Sequence, residues 1–403
     1  YVGLSFMRTR SFFPADLDAF FVSVERVLDP RLCGRPVVVG GPADGRGVVA
    51  AASYEARAFG VCSAMPMAQA MRRCPGLLRV SGSHSMYGRA SRAVFDVLGQ
   101  YTPILEKVSI DEAYLDLTGT GLLFGGAIDV ADRMRREVRE RLRLDLTIGV
   151  SQNRLVSKVA SAFAKPYGLF DVALGQEATF LAPLDVRALP GIGPVTAHRL
   201  KDWNIEKLGA LADTASWFLR ETFGDHGPAL QSRARGEDDT PVCPPWERNE
   251  SKSIGHEETF ATDVDDHAFL RAKLSALLSK AARRLRKKGL LARKVSVKLR
   301  YADFVTETRD CTLREPSDLD GDFLDPMQEL LHHMASRRTL VRLLGVRLTG
   351  LVRGFRQTSL FDAEQDFKTE SRSAIVSAMD DIRDKYGASV VQSGEAAWLS
   401  NSR

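Results

Sequence analysis

Two spacings of apolar residues alternate along the first part of the chain. Within 127–144, Val130, Met134, Val138 and Leu142 recur every four residues, which puts them on one face of a helix. Short β-branched runs near glycine, RPVVVGG at 35–41 and LTIGVS at 146–151, read as buried strands. Residues 12–24 read as a strand running into a helix, and 46–61 repeat that pattern. Further helices are expected at 63–76, stopping at Pro75-Gly76, at 83–100, and at 152–166, ended by Pro166. The apolar stretch 104–117 reads as one strand, although it carries two adjacent carboxylates, Asp111 and Glu112.

The character changes near Leu184. A Gly-x-Gly turn at 191–193 separates two helical stretches within 189–205, and the proline-rich segment 239–250 reads as a linker. After it, an apolar strand, a basic helix at 266–289, two strands, a helix at 322–336 and a last strand predict a β-α-β-β-α-β module. A polar tail follows from Arg353, with one helix-like piece at 371–386. The element order predicts an α/β chain of the α+β multidomain kind.

A length of 403 residues suggests two to four domains, and 44% hydrophobic with 27% charged residues is ordinary for a globular protein. The five cysteines form no Cys-x-x-Cys pair, which argues against structural zinc and for a reducing, cytoplasmic setting. No run of 18 apolar residues exists, so no membrane helix is expected. Net charge is only +5, but 271–300 holds twelve Lys or Arg and no acid. That imbalance makes a polyanion the expected partner.

Asp16, Asp111 and Glu112 stand near apolar strand ends, with Asp18 two residues beyond Asp16. Carboxylates gathered there need a cation, and Mg²⁺ with oxygen ligands is the natural one. The alternative is that Asp18 caps a helix and the other two lie exposed at a strand end. Tyr54 and Arg57, three apart on one helix face, can hold phosphate oxygens, and Lys165 is a third donor. Acids, a hard cation and phosphate donors together describe two-metal phosphoryl transfer.

DLDAFFVSVE (16–25), SYEARAFGV (53–61), SIDEAYLDL (109–117), GVSQNRLVSKVASAFAKPYG (149–168) and LPGIGPVTAHRL (189–200) resemble, in order, the motifs of Y-family translesion DNA polymerases, the bacterial polymerase IV branch above all. The resemblance implies a right hand: a palm at 1–27 and 84–174, fingers at 28–83, and a thumb with a helix-hairpin-helix at 175–240. A linker at 241–250, a little finger at 251–352 and a tail at 353–403 complete it. It further implies that Asp16, Asp111, Glu112 and the Leu17 carbonyl hold two Mg²⁺ ions. Tyr54, Arg57, Lys165 and backbone N–H groups of Ala19, Phe20 and Phe21 then bind the triphosphate. Phe21 matches the steric gate that excludes ribonucleotides, while Phe20 suits the core.

Further features refine the resemblance. The family commonly has Thr where this chain has Ala51, so one phosphate contact is expected to be missing. Ala50 and Ala64 suit a roomy, error-prone pocket, and Val48 narrows it. Primer-template DNA and dNTPs are the expected partners of a monomer without proofreading, with Gly191, Gly193, Lys252, Ser253 and Arg293 on the DNA. QTSLF at 357–361 resembles the peptide that bacterial polymerases place in the sliding clamp, through Gln357, Leu360 and Phe361. A non-catalytic adaptor and a palm-fold cyclase stay open as alternatives; the three acids argue against the first and the basic module against the second.

Overall fold

The structure, a computed structural model, describes residues 10–247, 251–335, 337, 339–353, 363–387, 390, 391 and 394, without the side chains of 363–369. Gln357, Leu360 and Phe361 lie outside the described residues. The chain divides into two compact units, 1–248 and 249–403.

In chain order the first unit comprises β1 (Phe12–Leu17), α1 (Phe20–Leu28), β2 (Val37–Gly40), β3 (Val49–Ala52), α2 (Tyr54–Arg57), α3 (Met67–Arg73), β4 (Leu78–Val80), α4 (His84–Leu98), β5 (Leu105–Lys107) and β6 (Glu112–Asp116). Then come α5 (Gly121–Phe124), α6 (Ala127–Leu142), β7 (Leu146–Val150), α7 (Arg154–Ala164) and β8 (Leu169–Asp171). Short helices α8 (Glu177–Leu181), α9 (Pro194–Lys201), α10 (Leu208–Asp213), α11 (Ser216–Phe223) and α12 (His226–Ala234) follow. A five-stranded sheet, β5-β6-β1-β7-β8, is central, and a three-stranded sheet, β3-β2-β4, is separate from it.

The stretch 104–117 is not one strand. Val108 and Ser109 N–H groups both donate to the Glu112 carbonyl, at 3.0 and 3.2 Å, and close a turn between antiparallel β5 and β6. Asp111 therefore sits in a turn and Glu112 opens β6, so the carboxylates do not interrupt a strand. Before the Gly-x-Gly turn there is only a single 3₁₀ turn, Val186–Ala188, instead of a helix. Within the segment read as a linker, Val242 is buried against Phe12 and Tyr114, and the Cys243 N–H donates to Glu106.

The second unit is β9 (Ser253–Val264), α13 (His267–Arg286), β10 (Leu290–Tyr301), β11 (Thr306–Ser317), α14 (Asp320–Met334), β12 (Val341–Arg353) and α15 (Ala363–Tyr386). Its antiparallel sheet runs β11-β10-β12-β9. Val295, Val297 and Leu299 of β10 bury one sheet face against Leu274, Leu278 and Phe323 of the two helices.

In the fold, part of the basic run is ion-paired. Lys273 pairs with Glu258, Arg283 and Lys287 with Asp384, Arg286 with Asp320 and Asp380, Lys294 with Asp310, and Lys298 with Glu257. The acids missing from 271–300 arrive from other elements: β9, β11, α14 and the tail helix α15.

Candidate active site

Asp16, near the end of β1, lies in register with Glu112 of β6 on one side and Thr147 of β7 on the other. Like charges directly opposite on paired strands repel. Lys158 of α7 resolves the conflict: its Nζ is 2.8 Å from Asp16 Oδ2 and 2.9 Å from Glu112 Oε1. Lys165, at the end of α7, reaches the other Asp16 oxygen at 2.5 Å. Burial works to lower the Lys158 pKa, but Asp16 and Glu112 outweigh it and hold the ammonium above its ordinary value.

Lys158 was not among the residues that the motifs singled out. In sequence it is one more lysine on a helix. Only the packing of α7 on β7 brings it to the carboxylates, and Gly149 makes that packing possible. A Cβ at Gly149 would lie 2.1 Å from the Ser157 carbonyl oxygen.

Asp111 stands beside this pair. Its carbonyl accepts the Leu17 N–H at 3.0 Å, and its carboxylate takes the Ser109 hydroxyl. Among the described residues, no three His, Cys, Asp or Glu side chains are gathered as a metal-ion site. Asp16, Asp111 and Glu112 are adjacent in the fold, with Lys158 between the first and the last. The donor set still fits a hard cation: all-oxygen ligands, two of them already sharing one positive charge.

Asp18 does not cap α1 through its side chain. Its buried carboxylate accepts the Tyr54 hydroxyl at 2.7 Å, the Thr147 hydroxyl at 2.6 Å and the Tyr167 N–H at 2.9 Å. Burial first, then the bond to Asp18, pushes the Tyr54 phenol well above its ordinary pKa. The bond to Asp18 orients the Tyr54 hydroxyl next to the start of α1, where Ala19 has left-handed backbone (φ 44°) and no side chain caps the helix. Arg57 is exposed, donates to the Ala52 carbonyl at 3.0 Å and lies 4.7 Å over the Tyr54 ring.

The two phenylalanines part company. Phe20 is buried, whereas Phe21 is half-buried and stacks on Tyr87, with centroids 4.3 Å apart and planes at 15°. The Tyr87 hydroxyl donates to Glu25 at 2.6 Å, which fixes the ring behind Phe21. Tyr87 is a second residue that motif reading missed. Ala51 is buried in the same core cluster as Phe20, while Val48, Ala50 and Ala64 are exposed.

Gly191 and Gly193 are exposed ahead of α9, Gly191 with φ 96° and no side chain capping the helix. In the second unit Lys252, Ser253 and Arg293 are exposed, Arg293 at a register break in β10. The structure brings Asp16, Glu112, Lys158 and Lys165 together, with Tyr54 tied to the same region through Asp18.

Sequence models of known families match along most of the chain. The impB/mucB/samB family matches residues 15–162, its C-terminal domain 251–360, and the IMS family HHH motif 176–205. A DNA polymerase IV from Dehalococcoides mccartyi strain CBDB1 is 40% identical, over 98% of this chain and 100% of its own. DNA polymerase IV 1 of Bacillus subtilis is 36% identical over 96% of this chain and 93% of its own. Among solved structures, a Y-family DNA polymerase chimera of Dbh and Dpo4 matches with a TM-score of 0.76 at 27% identity, over 85% of this chain and 100% of that one. Together with the palm-like sheet, the helix-hairpin-helix region and the C-terminal module, these matches establish that the chain belongs to the impB/mucB/samB family and is a Y-family DNA-directed DNA polymerase of the polymerase IV type.

Proposed function

We propose that the enzyme adds dNTPs to a primer 3′-hydroxyl by two-Mg²⁺ phosphoryl transfer, copying damaged templates with low fidelity and without a proofreading exonuclease. The carrying observation is the Asp16–Glu112 pair, in register on β1 and β6 beside the uncapped start of α1. Asp16, Asp111, Glu112 and the Leu17 carbonyl would hold the ions. Bound there, Mg²⁺ supplies a lowered pKa at the primer hydroxyl and neutralises charge on the triphosphate.

The rest falls to the chain's own groups. The N–H groups of Ala19, Phe20 and Phe21, at a helix N-terminus without a side-chain cap, favour a triphosphate. Tyr54 gives its hydroxyl proton to a phosphate only by leaving Asp18, and Arg57 offers a guanidinium. Lys165 reaches a phosphate only by leaving Asp16. Phe21, backed by Tyr87, closes the space under the sugar where a 2′-hydroxyl would stand. The nucleophile belongs to the DNA, so no serine, cysteine or histidine serves as one. Gly191 and Gly193 offer turn N–H groups to a phosphate, while Lys252, Ser253 and Arg293 contact duplex. Gln357–Phe361 docks a monomeric enzyme on the sliding clamp in the cytoplasm.

Primer extension with Mg²⁺ tests the reading. Asp111→Ala is expected to lower the rate by about 10³-fold or more, the several kcal/mol that a metal site supplies. An Asp111→Ala protein that extends primers at the native rate overturns the metal assignment. Native protein that binds primer-template but never extends it points to the adaptor.

A further inference from the structure

We propose that Lys158 is a resident cation of the carboxylate pair: it holds Asp16 and Glu112 in place before any metal is bound, and a divalent ion binds only by displacing it. The inference rests on reading the pair as metal ligands, and it adds a role that the reaction itself does not require.

Three observations carry it. The first is geometric. The ammonium is shared almost equally between one oxygen of Asp16 and one of Glu112, at 2.8 and 2.9 Å. A cation bridging two opposed carboxylates would occupy that position. Lys165 covers the second Asp16 oxygen. The second is that the lysine is built in, since the helix bearing it is anchored on several sides. Asn153 caps its start by accepting the Val156 N–H, and the Leu155 N–H donates to Asp238. Arg154, one turn before Lys158, forks onto Glu106 of β5 at 2.6 and 2.9 Å. The Gly149 contact then sets the depth of α7 against β7. The third is the state of Asp111, whose carboxylate is engaged by Ser109 and touches neither lysine in any described bond.

A fixed positive charge between two ligands opposes metal binding to the free enzyme. It also spares the strands the repulsion of an empty carboxylate pair. A nucleotide supplies what the free enzyme lacks, since its phosphates give Lys158 and Lys165 other anions to hold. Metal loading thereby becomes coupled to nucleotide binding, and the coupling is reciprocal.

The test is Mn²⁺ binding to the full chain without DNA or nucleotide, followed by calorimetry or by the electron spin resonance of free Mn²⁺. Lys158→Met is expected to tighten Mn²⁺ binding about tenfold, within the range typical of coupled sites. Lys158→Arg, which keeps the charge, leaves it weak. The Met variant should melt lower than native protein without metal and recover on Mn²⁺ saturation. If it fails to fold, native protein decides alone. Lys158 acetylation, followed by peptide mass spectrometry, should be slow without metal and rise as Mn²⁺ saturates. Equal Mn²⁺ affinity in native and Met proteins, or Lys158 acetylation unchanged by Mn²⁺, overturns the proposal. Primer extension reports on the polymerase mechanism separately. An active enzyme with unchanged Mn²⁺ affinity in the Met variant refutes only the role of Lys158.

Discussion

Phe20 and Phe21 are adjacent and chemically identical, and the fold sends one into the core and the other to the half-open face over Tyr87. Phe21→Ala is expected to raise ribonucleotide insertion strongly, and single-nucleotide kinetics with rNTP and dNTP would measure it. Tyr87→Ala should raise it less, because the ring of Phe21 remains but loses its backing. Unchanged selectivity in both variants would remove the gate from this position. Asp18 gives a second residue-scale expectation. Its carboxylate is 3% exposed and receives three donors. Asp18→Ala leaves those donors without their acceptor and should cost roughly 3 kcal/mol of stability, seen by denaturant titration. The acids were legible in the sequence because carboxylates near apolar strand ends are unusual. Lys158 and Tyr87 were not, since a lysine and a tyrosine on helices carry no local mark of what the tertiary packing sets beside them.

At the scale of elements, the second unit separates two kinds of positive charge. Arg286 is mostly covered, and it bonds Asp320 at 2.7 Å, Asp380 at 2.7 Å and the Asp318 carbonyl at 2.6 Å. Its removal leaves acids of α14 and α15 facing one another without their cation, so Arg286→Ala should destabilise by about 3 kcal/mol. Arg347 lies instead on the sheet face away from the helices, exposed between buried Val346 and Leu348. Arg347→Ala should leave the melting temperature nearly unchanged and reduce the salt slope of duplex binding by about 1. The opposite assignment, stability lost at Arg347 and salt dependence at Arg286, would mean that the helical layer carries the DNA. His256, on β9, supplies a pH test of the same unit. Burial first, then Arg284 and Lys280, depresses its pKa. The folded state therefore binds this proton less readily than the unfolded chain. Stability is full above the ordinary histidine range and is lost as pH falls below it. His256→Gln should flatten that slope as pH falls below about 6.5 in thermal melts. The β-α-β-β-α-β order was legible from periodicity. The charge pairing was not, because its acids lie in other elements, up to Asp384 at the far end of α15.

At the scale of the molecule, each unit holds a core of its own. One cluster is drawn entirely from residues between Ile254 and Leu351. The clusters around Phe13, Val38 and Leu155 are drawn entirely from the first unit. The residues proposed for the chemistry are divided just as sharply. Asp16, Asp111, Glu112, Tyr54, Arg57 and Lys165 all belong to 1–248, whereas the basic run 271–300 belongs to 249–403. Separate cores predict separate folding. Expressed alone, 249–403 should melt as one cooperative transition and bind duplex DNA without extending it. Expressed alone, 1–248 should keep kcat within about tenfold on saturating primer-template while its KM for DNA rises by 10-fold or more, roughly the loss of a few phosphate contacts. A collapse of kcat at saturating DNA would show that the second unit acts on the reacting atoms as well as on grip, and pre-steady-state bursts on the fragment would locate the slowed step.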